Sequence, residues 1–304
     1  MNIQMIRTAT AFIVLLLPVM VLAQPDKAPA KPFMWQEVDT PSRDLFYGPG
    51  GKEMVPDVSK VKVIEKETGG SSLKYRITDA NGREWVAKID KESQPETVAV
   101  RLLYGLGYTT EINYLVPEIT IPGKGTYQNV RLEARPEAVD RGDRWDWEEN
   151  PFAGTPELGG LKIMMVMLGN WDTKNGNNII LHKNGVAHYA VSDLGAGMGS
   201  LGSNSLPIIW RIGRSVNDPE DYAESTFIKE VEDGMIEFDF GGFNHDTFKE
   251  APVEHGRWLA NRLLKLTDKQ IDDALRAANY EASDASILKT AIKQRIQELD
   301  RHTR

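Results

Sequence analysis

Residues 169–180, Gly-Asn-Trp-Asp-Thr-Lys-Asn-Gly-Asn-Asn-Ile-Ile, decide how the rest of the chain is read. Ahead of them Leu161, Met164, Met165 and Leu168 fall at the three- and four-residue spacing of one helical face. Behind them the short apolar runs 179–182 and 187–192 have the length of strands. The Asn-Gly pair and the clustered amides between them mark a loop. A helix-to-strand loop therefore carries a carboxylate, Asp172, a cation two residues on, Lys174, and an amide five residues on, Asn177. With this spacing Asp172, accompanied by Lys174, faces an incoming hydroxyl while Asn177 turns back toward a metal ion.

Downstream, Asp193-Leu-Gly195 ends the second short strand and puts a carboxylate at a strand tip, where it can bind a divalent cation between phosphates. Upstream, Lys88 sits in Trp-Val-Ala-Lys-Ile, and period-two alternation places Val86 on its face, able to roof an adenine ring. The strand follows a hairpin loop, Thr68-Gly69-Gly70-Ser71-Ser72, whose glycines and hydroxyls, with Lys74, are candidate phosphate contacts. Pro95 opens a helix with Val98, Leu102, Leu103 and Leu106 on its apolar face. Glu96 is the acid of that helix and the natural ion-pair partner for Lys88, although a first-turn acid also suits the helix dipole. Phosphoryl transfer asks mainly for positioning and charge neutralisation, and these residues appear in the order such a site needs.

The segments Glu-Trp-Val-Ala-Lys-Ile, Asn-Trp-Asp-Thr-Lys-Asn-Gly-Asn and Ser-Asp-Leu-Gly resemble the atypical kinases of the HipA and phosphatidylinositol-kinase type, with the logic of the secreted CotH kinases. The resemblance spans roughly residues 60–200. It implies an α+β, bilobal, protein-kinase-like fold with a small antiparallel-sheet N-lobe and a larger, mostly helical C-lobe. It also implies ATP with Mg²⁺ or Mn²⁺ in the cleft: Lys88 on the phosphates, Glu96 paired with it, Asp172 as catalytic carboxylate, Asn177 and Asp193 on metal. The sequence departs from the usual pattern in three places. Asn170-Trp171 stands where His-Arg is usual, the short loop does not match G-x-G-x-x-G, and no Ala-Pro-Glu follows Asp193. Control by activation-loop phosphorylation is therefore not expected.

The remaining sequence divides around this centre. Alternating runs and the turns 68–72 and Asn81-Gly82 predict strands at 61–63, 73–77, 85–89, 114–122 and 126–135, so that 59–135 forms the N-lobe. Residues 136–155, with Trp145-Asp-Trp-Glu-Glu149, read as an inter-lobe linker with buried aromatic anchors. Residues 156–304 read as the helical C-lobe, its tail marked by the capping box Thr267-Asp-Lys-Gln270. Residues 24–58, rich in Pro, Gly and charge, read as an extended arm. Arg7, the apolar run 11–22 and the Val-Leu-Ala ending at residue 23 have the form of a secretory signal peptide, so export to the periplasm or beyond is expected. Removing Arg7 with it moves the formal charge from −8 to −9, which disfavours nucleic acid as a partner. The run is too short, and broken by Pro18, to be a spanning helix.

Other chemistries fit less well. There is no Cys, and the five His never fall at zinc-ligand spacing. Met198 stands where a nucleophile elbow around Ser200 needs Gly, and Lys174 occupies a ligand position of a would-be calcium loop. The expected function is transfer of a phosphoryl group from ATP to a hydroxyl-bearing acceptor, protein, carbohydrate or small molecule. A nucleotidyl transferase on the same residues is one alternative. An exported pseudokinase that binds a partner without catalysis is the other.

Overall fold

A computed structural model of the chain describes residues 30–70, 72–202 and 213–304. The signal-peptide reading at 1–23, the first residues of the arm and Ser71 lie outside the described residues.

The chain opens with a short strand, β1 (Lys31–Phe33). Strands β2 (Lys62–Glu67), β3 (Leu73–Thr78) and β4 (Glu84–Ile89) follow, then helix α1 (Ser93–Gly105), then β5 (Asn113–Ile121) and β6 (Gly125–Ala134). The last five of these six strands form one antiparallel sheet in the order β2-β3-β4-β6-β5. The β3–β4 turn is tied by Asp79, whose carboxylate accepts from the N–H groups of Asn81 and Arg83 and from the Trp85 indole. Gly82 supplies the positive φ, +78°, that this tight turn requires.

Period two gives the sheet two unlike faces. Tyr75, Ile77, Trp85, Ala87, Tyr114, Val130 and Leu132 build an apolar face. Lys74, Arg76, Val86, Lys88, Arg131 and Glu133 alternate with them and are register partners on the other. Helix α1 meets this second, charged face through Glu96 and through Arg101, which donates to the Asn113 side chain (3.1 Å) and carbonyl (2.9 Å). The apolar face is covered in part by Met54 and Val58. Residues 30–58, expected as an arm, are thus irregular but built into the fold, because an apolar sheet face must be covered. Met34 and Leu45 are buried in the main core, β1 pairs in parallel with a C-lobe strand, and Gln270 donates to the carbonyls of Thr40 (2.6 Å) and Arg43 (2.9 Å).

After the sheet comes β7 (Asp140–Asp143), inside the stretch expected as linker, then α2 (Pro156–Met167), β8 (Asn178–Lys183) and β9 (Val186–Val191). The order β1-β9-β8-β7 makes a second sheet in the larger lobe. Helix α3 (Pro219–Glu224), strands β10 (Ile228–Glu232) and β11 (Met235–Phe238), helix α4 (His245–Phe248) and strand β12 (Glu250–Pro252) follow. The three strands form a small antiparallel sheet that the periodicity reading missed, because charged residues fill most of β10. Helices α5 (Val253–Leu263), α6 (Asp268–Ala277) and α7 (Ala282–Thr303) complete the lobe, and the capping box at Thr267 and Gln270 forms. The main core runs from α1 through α2 to these three helices. Among the described residues no helix is long and apolar enough to cross a membrane.

Candidate active site

Lys88 points from β4 onto the charged face and is 2% exposed. Its Nζ lies 3.4 Å from Glu96 of α1 and 3.3 Å from Asp193, which comes from the other lobe just past β9. The nearest acid is Glu92, at the N-cap of α1, 2.7 Å away. Glu96 is shared with Arg131 on β6, so the helix glutamate joins two strand cations. Burial works against the charged ammonium, but Glu96 and Asp193 hold the Lys88 pKa well above the usual lysine range. Burial likewise pushes Asp193 up, yet Lys88 and Arg131 outweigh it and keep the carboxylate below its usual range.

The loop after α2 approaches the same place. Asn170, fully buried, bridges the two segments: its amide reaches the Asp193 carbonyl (3.5 Å) and its Oδ1 accepts the Asp172 N–H (3.2 Å). The Ser192 N–H donates to the Asn177 carbonyl at 2.8 Å, which sets Asn177 against the base of Asp193. Asn177 turns its amide toward Asp172, donating to the carbonyl (2.5 Å) and to Oδ2 (3.1 Å). Lys174 Nζ lies 2.7 Å from Asp172 Oδ1. Gly197 passes so close to Leu168 that an added Cβ would sit 2.6 Å from its carbonyl oxygen. The helix end and the strand-tip loop are therefore packed backbone to backbone.

The sequence-predicted residues fall into two groups joined by the bonds of Asn170 and Ser192: Lys88, Glu96 and Asp193 in one, Asp172, Lys174 and Asn177 in the other. Gly69 and Gly70 are exposed at the hairpin tip, with Lys74 donating to the Gly69 carbonyl (3.3 Å). The β3–β4 register puts this loop at the Lys88 end of the sheet. Ser72 is half-buried beside it. Val86 is 2% exposed, between Arg76 and Glu133 on its own face. A cavity of about 1150 Å³ lies where the chain passes from β6 to β7, lined by residues such as Arg76, Glu84, Arg135, Glu137 and His182, but Val86 does not line it.

Sequence reasoning missed an ion-pair chain behind Lys88. Arg131 pairs with Glu96 and with Glu133 (2.9 Å), Glu133 with Arg135 and Arg141, and Arg141 with Glu111. Glu111 accepts from Ser192 Oγ (2.6 Å), next to Asp193, so the chain returns to its start. Burial and Glu133 push the Glu111 carboxyl up to about 7, while burial on Glu133 is overcome by its three arginines, which hold it far below the usual range. The available signal was the alternation of Arg131 and Glu133 with Val130, Leu132 and Ala134, in register with Lys88. The Trp145–Trp147 segment is likewise more than a linker. Its indoles are buried, Trp145 donates to the Ala190 carbonyl (2.9 Å), and Asp146 takes the amide of Asn175 in the Asp172 loop.

Among the described residues no three His, Cys, Asp or Glu side chains gather as a metal cage. Asp193, with a side chain 38% exposed, and Asn177, whose Oδ1 meets no donor among the described residues, are hard oxygen ligands of the kind Mg²⁺ or Mn²⁺ takes. Such ions usually keep one or two protein ligands and complete their shell with phosphate and water, so this pair fits one.

A small antiparallel sheet with one crossing helix, a helical second lobe, and a strand lysine held between the helix glutamate and an acid from the far lobe define a bilobal, protein-kinase-like α+β fold. No family model matches the chain, and no curated protein matches it. Among solved structures it is similar to a proinflammatory kinase, CtkA, of Helicobacter pylori, with TM-score 0.48 and 10% identity over 81% of this chain and 96% of that one. A likeness of that extent leaves the chemistry to be read from this chain's own residues.

Proposed function

We propose that the chain transfers a phosphoryl group from ATP to a hydroxyl-bearing acceptor, with Mg²⁺ or Mn²⁺, outside the cytoplasm. The observation that carries this reading is Lys88 Nζ, 3.4 Å from Glu96 and 3.3 Å from Asp193 across the cleft. A buried strand lysine fixed by a helix glutamate and aimed at the opposite lobe supports a phosphate-binding role, since buried ion pairs add little net stability and sheet stability alone does not account for it. Asp193 and Asn177 would hold the cation, which when bound neutralises charge on the phosphates. Asp172 is the group to orient and accept the proton of the acceptor hydroxyl, and Lys174 beside it offers a positive charge to the transferring group. Asn170 and Asn175 hold that loop, keeping Asp172 close to its working position.

The test is thermal unfolding with and without ATP plus Mg²⁺ or Mn²⁺. A ligand at 100 times its Kd adds about 2.7 kcal/mol, which for a chain of this size is roughly 5–10 °C in Tm. The shift is expected to need the metal and to vanish in Asp193→Ala. With an acceptor in hand, Asp172→Asn should cut transfer by roughly a hundredfold or more, and mass spectrometry of the product separates phosphoryl from nucleotidyl transfer. Absence of any shift with any nucleotide would leave a non-catalytic binding module as the better reading.

A further inference from the structure

An ammonium group has three N–H bonds to give. On Lys88 all three are matched by carboxylates: Glu92 at 2.7 Å, Asp193 at 3.3 Å and Glu96 at 3.4 Å. A phosphate oxygen can reach this nitrogen directly only by taking the place of one of them. Glu96 is 1% exposed and pinned by Arg131, so it is not the one to leave. Asp193 is fixed by Lys88 and by the Gly195 N–H, and sits where the cation is expected. Glu92 differs from both. Lys88 is its side chain's one partner among the described residues, whereas Glu96 also holds Arg131 and Asp193 also accepts from Gly195, and Glu92 stands at the N-cap of α1 without capping it.

Gly195 lets the strand-tip loop come close to Glu92. An added Cβ there would lie 2.6 Å from Glu92 Cβ and 2.8 Å from its carbonyl oxygen. The strand-tip loop and the start of α1 therefore touch through a glycine, and Glu92 lies against Lys88 rather than free in solvent.

We infer that Glu92 is an internal stand-in for phosphate: it holds Lys88 when no ligand is bound, yields that position to the polyphosphate, and so sets the affinity and selectivity of the site. This rests on the phosphotransferase reading above and deepens it. A tethered carboxylate competes at high effective concentration, so only a ligand whose phosphates reach Lys88 with their counter-ion displaces it. A nucleoside has no phosphate to offer Lys88 and leaves the Lys88–Glu92 pair intact.

The test compares wild type with Glu92→Gln and Glu92→Ser, the second chosen because Ser is a good N-cap. Isothermal titration with ATP, inorganic tripolyphosphate and adenosine, each with Mg²⁺, is read beside the ligand-free Tm of each form. Both substitutions are expected to tighten ATP and tripolyphosphate by about tenfold, the scale of one charge-assisted hydrogen bond, and to leave adenosine unchanged. Binding by the variants alone, with none by wild type, supports the inference in its strongest form. Equal affinities in wild type and variants overturn it while leaving the phosphotransferase reading intact. Weaker polyphosphate binding in both variants also overturns it and makes Glu92 a positioning group for Lys88. If no form binds either polyphosphate, both readings fall together.

Discussion

Glu111 and Glu133 show how one half-buried arginine can serve two acids unequally. Both are buried and contact Arg141, but Glu133 has Arg131 and Arg135 as well and keeps its charge, while burial and then the charge of Glu133 push Glu111 up to about 7. Two like charges this close cannot both ionise freely. The raised value means that the folded chain binds a proton more tightly than the unfolded chain between pH 4.5 and about 7. Stability contributed by Glu111 is therefore full below 4.5 and is lost as pH rises through 7. Glu111→Gln, which mimics the protonated side chain, is expected to match wild type near pH 5 and to gain on it by pH 8. The gain should be on the order of 1 kcal/mol, or about 3 °C in Tm. A difference that stays constant over this range, measured by thermal unfolding, would show that Glu111 is ionised throughout.

At the level of elements, α2 shows packing prevailing over local preference. Gly159 and Gly160 cost a helix interior about 1 kcal/mol each relative to Ala. Both are nonetheless at contacts that admit no side chain: a Cβ on Gly159 would lie 2.2 Å from His255 Nδ1, and one on Gly160 2.7 Å from Trp258 and from the Tyr108 hydroxyl. Helix α5 approaches α2 through this gap, and α2 leads directly into the Asp172 loop. Gly160→Ala is expected to destabilise by about 1–3 kcal/mol, the overpacking cost exceeding the propensity gain. Chemical denaturation checks the sign, and a more stable variant would mean that Trp258 can move aside. The helical spacing of Leu161, Met164, Met165 and Leu168 made α2 legible, and Thr155 caps it as such a start requires (3.3 Å to the Leu158 N–H). The glycines carried no such message, because their meaning lies in a helix about a hundred residues further along the chain.

For the whole molecule, residues 30–58 add a second tie between the lobes beside the core that α1 shares with the C-lobe helices. They pair with β9, bury Met34 and Leu45 in the main core, accept two hydrogen bonds from Gln270 of α6, and place Met54 and Val58 against the N-lobe sheet. A chain beginning at residue 59 is expected to lose its cooperative thermal transition and to bind an apolar dye, since one face of the sheet would lose part of its cover. Retention of a single sharp transition would show instead that the sheet lobe needs no such cover.

By itself the sequence determined the order of parts: a strand lysine, a helix with one acid, a helix-to-strand loop with Asp172 and Asn177, a strand-tip Asp193, and a helical tail with its capping box. These are readable because hydrophobic period, turn residues and caps act over a few positions. Tertiary structure decided what those parts meet. Period two shows that Lys88 shares a face with Val86, but not that Arg131 and Glu133 lie beside them, nor that Glu92 reaches Lys88 before Glu96 does. The Lys88–Asp193 contact spans 105 residues, and the covering of the sheet by residues 54 and 58 belongs to no local period. Local sequence sets which side of an element is polar. Only the packing of distant segments fixes which charge faces which, because partners are chosen by burial and register across the whole fold.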